Sequence, residues 1–125
     1  MKYLLDTHAL LWYLLDDANL SKTAHSIIDY GECYYSKVSL WEIAIKQAIG
    51  KLKYKESIPS ISRLCWQEQF INLSVTENHF ERIKTLPFIH NDPFDRLLIS
   101  QAQCENLTII TCDTIIPNYD VKTIW

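Results

Sequence analysis

Glycine and proline are scarce in this chain, two and four among 125 residues, which leaves little room for linkers or low-complexity segments. Nothing approaches a run of about 18 apolar residues, so a membrane span is excluded. The opening MKYLLDTHALLWYLLDD sets a Lys before an apolar stretch. Asp6 and His8 interrupt it and no small-residue cleavage site follows, so it reads as strand plus helix rather than a leader. The four cysteines (Cys33, Cys65, Cys104, Cys112) form no CxxC pair and show no metal-finger spacing. Each lies in or beside an apolar segment, the expectation for buried free thiols in a reducing, cytoplasmic setting. The four histidines lack ligand spacing, so no zinc site is expected. Bases are outnumbered 12 to 15, which argues against a generically basic nucleic-acid binder.

What is present is a composition of 48% hydrophobic and 22% charged residues, that of a folded globular chain. Its length suits one domain, residues 1–125, with a sizeable core. Lys2–Leu5 reads as a central strand ending at Asp6, with Asp6 or Thr7 capping a helix over Ala9–Leu15. Ser21–Tyr30 is amphipathic and stops at Gly31. Cys33–Val38 reads as the second strand, followed by a helix capped by Ser39 and running to Gly50. Pro59–Phe70 is a third helical stretch, Ile71–Val75 a strand, and Thr76 caps a helix over Glu77–Leu86. Leu107–Thr111 is the clearest strand, and Val121–Trp125 a short final one. Alternating strands and helices predict a three-layer α/β/α sandwich around a central parallel sheet. Ligands in such folds bind beyond the carboxyl ends of the strands, where the winding direction reverses.

Four carboxylates are aimed at that edge. Asp6 follows the first strand, Glu42 opens the middle helix, Asp95 lies in the first turn of the helix within HNDPFDRLLISQA, and Asp113 follows the late strand. Each has an ordinary explanation by itself. Acids in a first turn complement the helix dipole by about 0.3–1 kcal/mol, and Ser39-Leu-Trp-Glu42 spells a capping box worth ~1 kcal/mol. Their convergence at one rim is harder to explain that way, because gathered carboxylates repel unless a cation neutralises them. Oxygen ligands suit Mg²⁺ or Mn²⁺, which can activate water and neutralise a phosphodiester under attack. Without these four acids the bases outnumber the remaining acids 12 to 11, so the overall acidity leaves an RNA substrate open.

Neighbouring residues are open to two readings each. Asp92 is an N-cap for the helix beginning at Pro93, which places it behind the metal-facing acids. Lys46 either pairs with Glu42 one turn away or contacts a phosphate; Arg96 either binds phosphate beside Asp95 or makes a structural ion pair. Thr7 and Thr111 orient ligands or water, or are strand-end hydroxyls with backbone partners. Lys51, Lys53 and Lys55 with Tyr54 between them form either an RNA-facing strip or a solvated loop, and His8 is structural or touches substrate.

LLDTHALLWYL, SLWEIAIK, HNDPFDRLLISQA and LTIITCD, in that order across nearly the whole chain, resemble the PIN-domain ribonucleases, in particular the VapC-type toxins of toxin–antitoxin pairs. The resemblance implies RNA cleavage with Mg²⁺ or Mn²⁺ held by Asp6, Glu42, Asp95 and Asp113. It also implies homodimerisation and inhibition by an antitoxin that reaches into or near the acidic groove. Trp12, Leu15 and Tyr30 are candidates for the dimer face. One departure is Cys112, where a basic or small polar residue is more usual; either it points into the core or it makes the site oxidation-sensitive.

Two other classes compete. A receiver-like phosphoacceptor domain shares the architecture, but Asp16-Asp17 come a helix too late and Cys112 stands where its Lys belongs. A non-catalytic protein-binding module, docking through its tryptophans and an acidic rim, would cleave nothing.

Overall fold

The structure is a computed structural model describing residues 1–125. Along the chain run β1 (Lys2–Leu5), α1 (Thr7–Leu14), α2 (Lys22–Tyr30), β2 (Glu32–Ser36), α3 (Lys37–Ala48) and α4 (Ile58–Gln67). They are followed by β3 (Ile71–Leu73), α5 (Glu77–Ile83), α6 (Pro93–Glu105), β4 (Thr108–Ile110), a 3₁₀ turn at Ile116–Asn118, and β5 (Thr123–Ile124). All strand pairings are parallel, in the order β3-β2-β1-β4-β5. The winding direction therefore reverses between β1 and β4, which opens a crevice beyond their carboxyl ends.

The sheet is buried on both faces because its central strands alternate between two cores. Leu5 and Ile110 face a cluster with Leu10, Ile28, Leu40, Ile43 and Ile61, drawn from α1 to α4. Leu4 and Ile109 face the opposite cluster with Leu98, Ile99, Ala102 and Ile116. On that second face α5 is tied to α6 by His79, fully buried, whose Nδ1 accepts from the Thr76 amide (3.0 Å) while Nε2 meets Glu105 Oε2 at 2.8 Å.

The parallel α/β/α sandwich is as expected, but several boundaries move. β3, β4 and β5 are each shorter than the stretches expected, Ile71–Val75, Leu107–Thr111 and Val121–Trp125. The larger correction concerns the middle helix. It starts at Lys37, and its cap is Ser36, whose Oγ accepts from the Val38 amide at 3.1 Å, not Ser39. Ser36 is the last residue of β2 to pair with β3 (opposite Leu73), so the chain turns there and Ser39 falls inside the helix, fully buried. No capping box with Glu42 can form, and that carboxylate is released for other partners.

Candidate active site

The crevice at the switch point is a cleft of about 360 Å³, and Asp6, Glu42, Asp95 and Asp113 all line it, with Thr7, Lys46, His90 and Asp92. Four acids separated by up to most of the chain thus line one cleft, and of these Asp95 and Asp113 come together with His90 in a cluster whose ligand atoms lie within 4.8 Å of one another. Each is carried there by an element end. Asp6 is the N-cap of α1: its Oδ1 accepts from the Ala9 amide at 2.8 Å, and its own N–H donates to Ile110 O, which ties it to β4. It is buried, and that burial raises its pKa above the ordinary value even though the Thr111 hydroxyl and the Ala9 amide favour its ionised form.

Glu42, also buried, accepts from Thr7 Oγ1 at 2.6 Å, and Ser39 Oγ lies 3.0 Å from the same hydroxyl. Its other oxygen meets Lys46 Nζ at 2.7 Å. Thr7 is therefore an orienting group that joins α1 to α3. Lys46 is the partner of Glu42, and its ammonium has further N–H donors to spare.

Asp92 caps α6, with Oδ1 accepting from the amides of Phe94 (2.8 Å) and Asp95 (3.3 Å). Asp95 follows in the first turn. Burial first, and then the charges of Asp92, Asp6 and Asp113, push its pKa up to about 7, against the opposing pull of His90. Asp113 goes the other way. It too is penalised by desolvation, but the amides of Ile116 (3.0 Å) and Ile115 (2.7 Å) and the His90 ring outweigh that and lower its pKa. Thr111 bonds on both sides, since its Oγ1 accepts from the Asp113 amide at 3.0 Å while its hydroxyl serves Asp6.

His90 is the functional-site residue that pattern reading missed. It is buried, and its Nε2 lies 3.0 Å from Asp95 Oδ2 and 3.2 Å from Asp113 Oδ2. One ligand atom from each of the three lies within 4.8 Å of the others. Nδ1 accepts from the Asp92 amide at 3.2 Å, so in the neutral ring the proton sits on Nε2, pointing at both carboxylates. Spacing rules for histidine ligands look for a second His or Cys nearby, and none is needed here. The available signal was position: His90 lies two residues before the Asp92 cap.

Two expectations require correction. Arg96 does not face the cleft and makes no ion pair with Asp95. Its guanidinium donates to the carbonyls of Pro87 (2.8 Å), Ile83 and Leu86 (both 3.4 Å) and lies 4.7 Å from the centre of the Phe88 ring. Those carbonyls lie at and beyond the end of α5, and a five-donor fork reaches several at once. Cys112 does not point into the core; it is exposed and lines the cleft. Desolvation and then the charge of Asp6 hold its thiol above the ordinary pKa, so it stays protonated and poorly reactive.

The fold is thus a parallel α/β/α sandwich with an acidic cleft at its switch point. The PIN-domain family model matches residues 3–122, and the chain belongs to that family. No curated protein sequence matches it significantly. Among solved structures it is similar to VapBC2 from Rickettsia felis bound to a promoter DNA fragment, with a TM-score of 0.71, 17% identity, and 99% of this chain and 98% of that chain covered. It is likewise similar to a toxin–antitoxin complex from Klebsiella pneumoniae (TM-score 0.68, 17% identity, 98% and 96% covered). FitAcB from Neisseria gonorrhoeae gives a TM-score of 0.67 at 17% identity, again with 98% and 96% covered. At these identities the likeness establishes the fold. No helix is long and apolar enough to cross a membrane.

Proposed function

We propose that the whole chain, residues 1–125, is a metal-dependent endoribonuclease of the PIN family, acting as the toxin of a toxin–antitoxin pair. The observation that carries this reading is the gathering of Asp6, Glu42, Asp95 and Asp113 into one cleft. Membership of the PIN family supports nuclease chemistry, and the toxin–antitoxin complexes among the structural neighbours support an antitoxin partner. Homodimerisation is part of the same proposal. Leu15 and Tyr30 are exposed and available for it, whereas Trp12 is taken up by His8 and Trp125.

The donor set fits a hard divalent cation. It is built of carboxylate oxygens, and the one thiol nearby is held protonated. Burial first, and then the charges of Asp92, Asp6 and Asp113, raise the pKa of Asp95, and a bound cation would offset the charge part. We assign Asp6, Glu42, Asp95 and Asp113 as the groups that would hold Mg²⁺ or Mn²⁺. When bound, such an ion supplies an activated water and neutralises charge on the phosphodiester. The chain's own part is preorganisation. The Ala9 amide and Thr111 fix Asp6, Thr7 and Lys46 fix Glu42, the amides of Ile115 and Ile116 fix Asp113, and Asp92 starts α6 so that Asp95 faces the cleft.

Incubation with RNA in Mg²⁺ or Mn²⁺ is expected to give EDTA-sensitive cleavage with 5′-phosphate and 3′-hydroxyl ends, lost in Asp6→Asn. Ends bearing 2′,3′-cyclic phosphate would overturn water as the nucleophile. A protein-binding module would cleave in neither form. Binding offers a readout independent of turnover: Mn²⁺ at a hundredfold excess over its Kd should stabilise the fold by about 2.7 kcal/mol, roughly 10 °C in Tm for a chain of this length. Asp6→Asn should lose most of that shift; an unchanged shift would remove Asp6 from the metal site.

A further inference from the structure

The cleft has an aromatic edge that the nuclease reading does not use. His8 is exposed, and one face of its ring stacks on Trp12 at 5.2 Å and 15°. Trp12 is in turn braced edge-on by Trp125 at 5.8 Å and 64°. The exposed imidazole, stacked on Trp12, thus lies two residues from Asp6 at the outer end of a three-ring cluster. Beside it the acid cleft runs on into a recess of about 250 Å³ that shares Thr7, His8 and Lys46 and adds Lys51 and Leu52. Lys51 is anchored there, its backbone N–H donating to Lys46 O at 2.9 Å. An exposed tryptophan of this region, Trp41, is held edge-on by Phe94 and does not line the cleft.

We propose that the free face of His8 is a base-stacking subsite for an unpaired nucleotide next to the scissile phosphate, with Lys46 and Lys51 along the path of its backbone. This rests on the nuclease reading above. The acids explain why the nucleotide must be unpaired. Asp6 and Glu42 keep only 5% and 4% of their surface exposed, so they lie below the rim. A duplex presents its phosphates on a broad cylinder and its bases locked in pairs, whereas a single strand can lower one phosphate into the cleft and splay the adjoining base outward. A ring face accepts every base, so the subsite confers affinity with little sequence preference. The lysines supply the positive charge that the acidic floor lacks, on the side where the strand leaves it.

The test is binding of a short, fluorescently labelled, unstructured oligoribonucleotide in Mn²⁺, on the Asp95→Asn background so that the strand stays intact. His8→Ala is expected to weaken binding about tenfold, the lower part of the range for losing one stacked base, and His8→Phe to restore it. Lys51→Gln should reduce the slope of log K against log salt by about 0.7, one single-strand phosphate contact. The proposal fails if His8→Ala binds like its parent, or if a duplex of the same sequence binds as tightly. It also fails if His8→Ala releases a protein partner while RNA affinity is untouched. The two readings separate cleanly. Binding that follows the expected pattern in a protein that cleaves no RNA overturns the nuclease and keeps the subsite. RNA cleavage at limiting substrate that ignores His8→Ala overturns the subsite and keeps the nuclease.

Discussion

Asp95→Asn is expected to lower RNA cleavage by at least about a hundredfold, because the charge stabilisation a bound metal supplies is worth several kcal/mol. The same change should make the metal-free protein more stable. The folded pKa of Asp95 is pushed up to about 7 from an ordinary 3.8, chiefly by burial and then by its acidic neighbours. Between those values the folded chain keeps a proton that the unfolded chain has lost, so stability falls as pH rises from about 4 to about 7. Above that interval the ionised carboxylate carries the full penalty, on the order of 2–4 kcal/mol. Asparagine cannot ionise, so the variant should pull ahead of the wild type as pH rises from 5 to 8 in urea titrations without metal. Added Mn²⁺ should narrow or reverse the gap. A variant less stable at every pH would instead make Asp95 an ordinary first-turn acid, favoured by about 0.3–1 kcal/mol through the helix dipole.

Removing the ring of His90 should be the second large effect. Its Nε2–H is directed at Asp95 and Asp113 together, and the Asp92 amide holds the opposite nitrogen as an acceptor. Partners that orient metal-binding carboxylates are worth about 10–100-fold in metal affinity, and His90→Ala should lose that much Mn²⁺ binding by calorimetry or electron paramagnetic resonance. His90→Gln carries an amide N–H at nearly the same reach and should recover most of it. Equal losses in Ala and Gln would mean that the imidazole itself is a ligand. Tighter binding in His90→Ala would mean that the N–H competes with the metal for the two carboxylates.

The residues show why some of this could be read in advance and some could not. Tyr3–Leu5 and Leu107–Ile110 are short, mostly apolar runs of the kind a strand buried on both faces tolerates, and each is followed closely by an acid. Asp6 and Asp113 were therefore legible as edge residues from local pattern alone. Glu42 was legible as a residue but not in its setting. Ser36 and Ser39 are both good caps, and the choice between them is made by where β2 stops pairing with β3, a contact between distant segments. Arg96 and Cys112 were misplaced for a related reason, since a helix or loop residue turns to whichever neighbour arrives, here the carbonyls at the end of α5 and the open side of the cleft.

Sequence by itself determined the architecture and pointed to the four acids that line the cleft, because periodicity, caps and charge are properties of neighbours along the chain. Tertiary structure alone decided that His90 joins Asp95 to Asp113, that Thr7 reaches Glu42, and that Trp125 braces the His8–Trp12 pair at the mouth of the cleft. Thr7 and Glu42 meet across 35 residues, and His90 and Asp113 across 23, once the strands ahead of them pair with β1, and no local rule encodes which side chains a crossover will bring together.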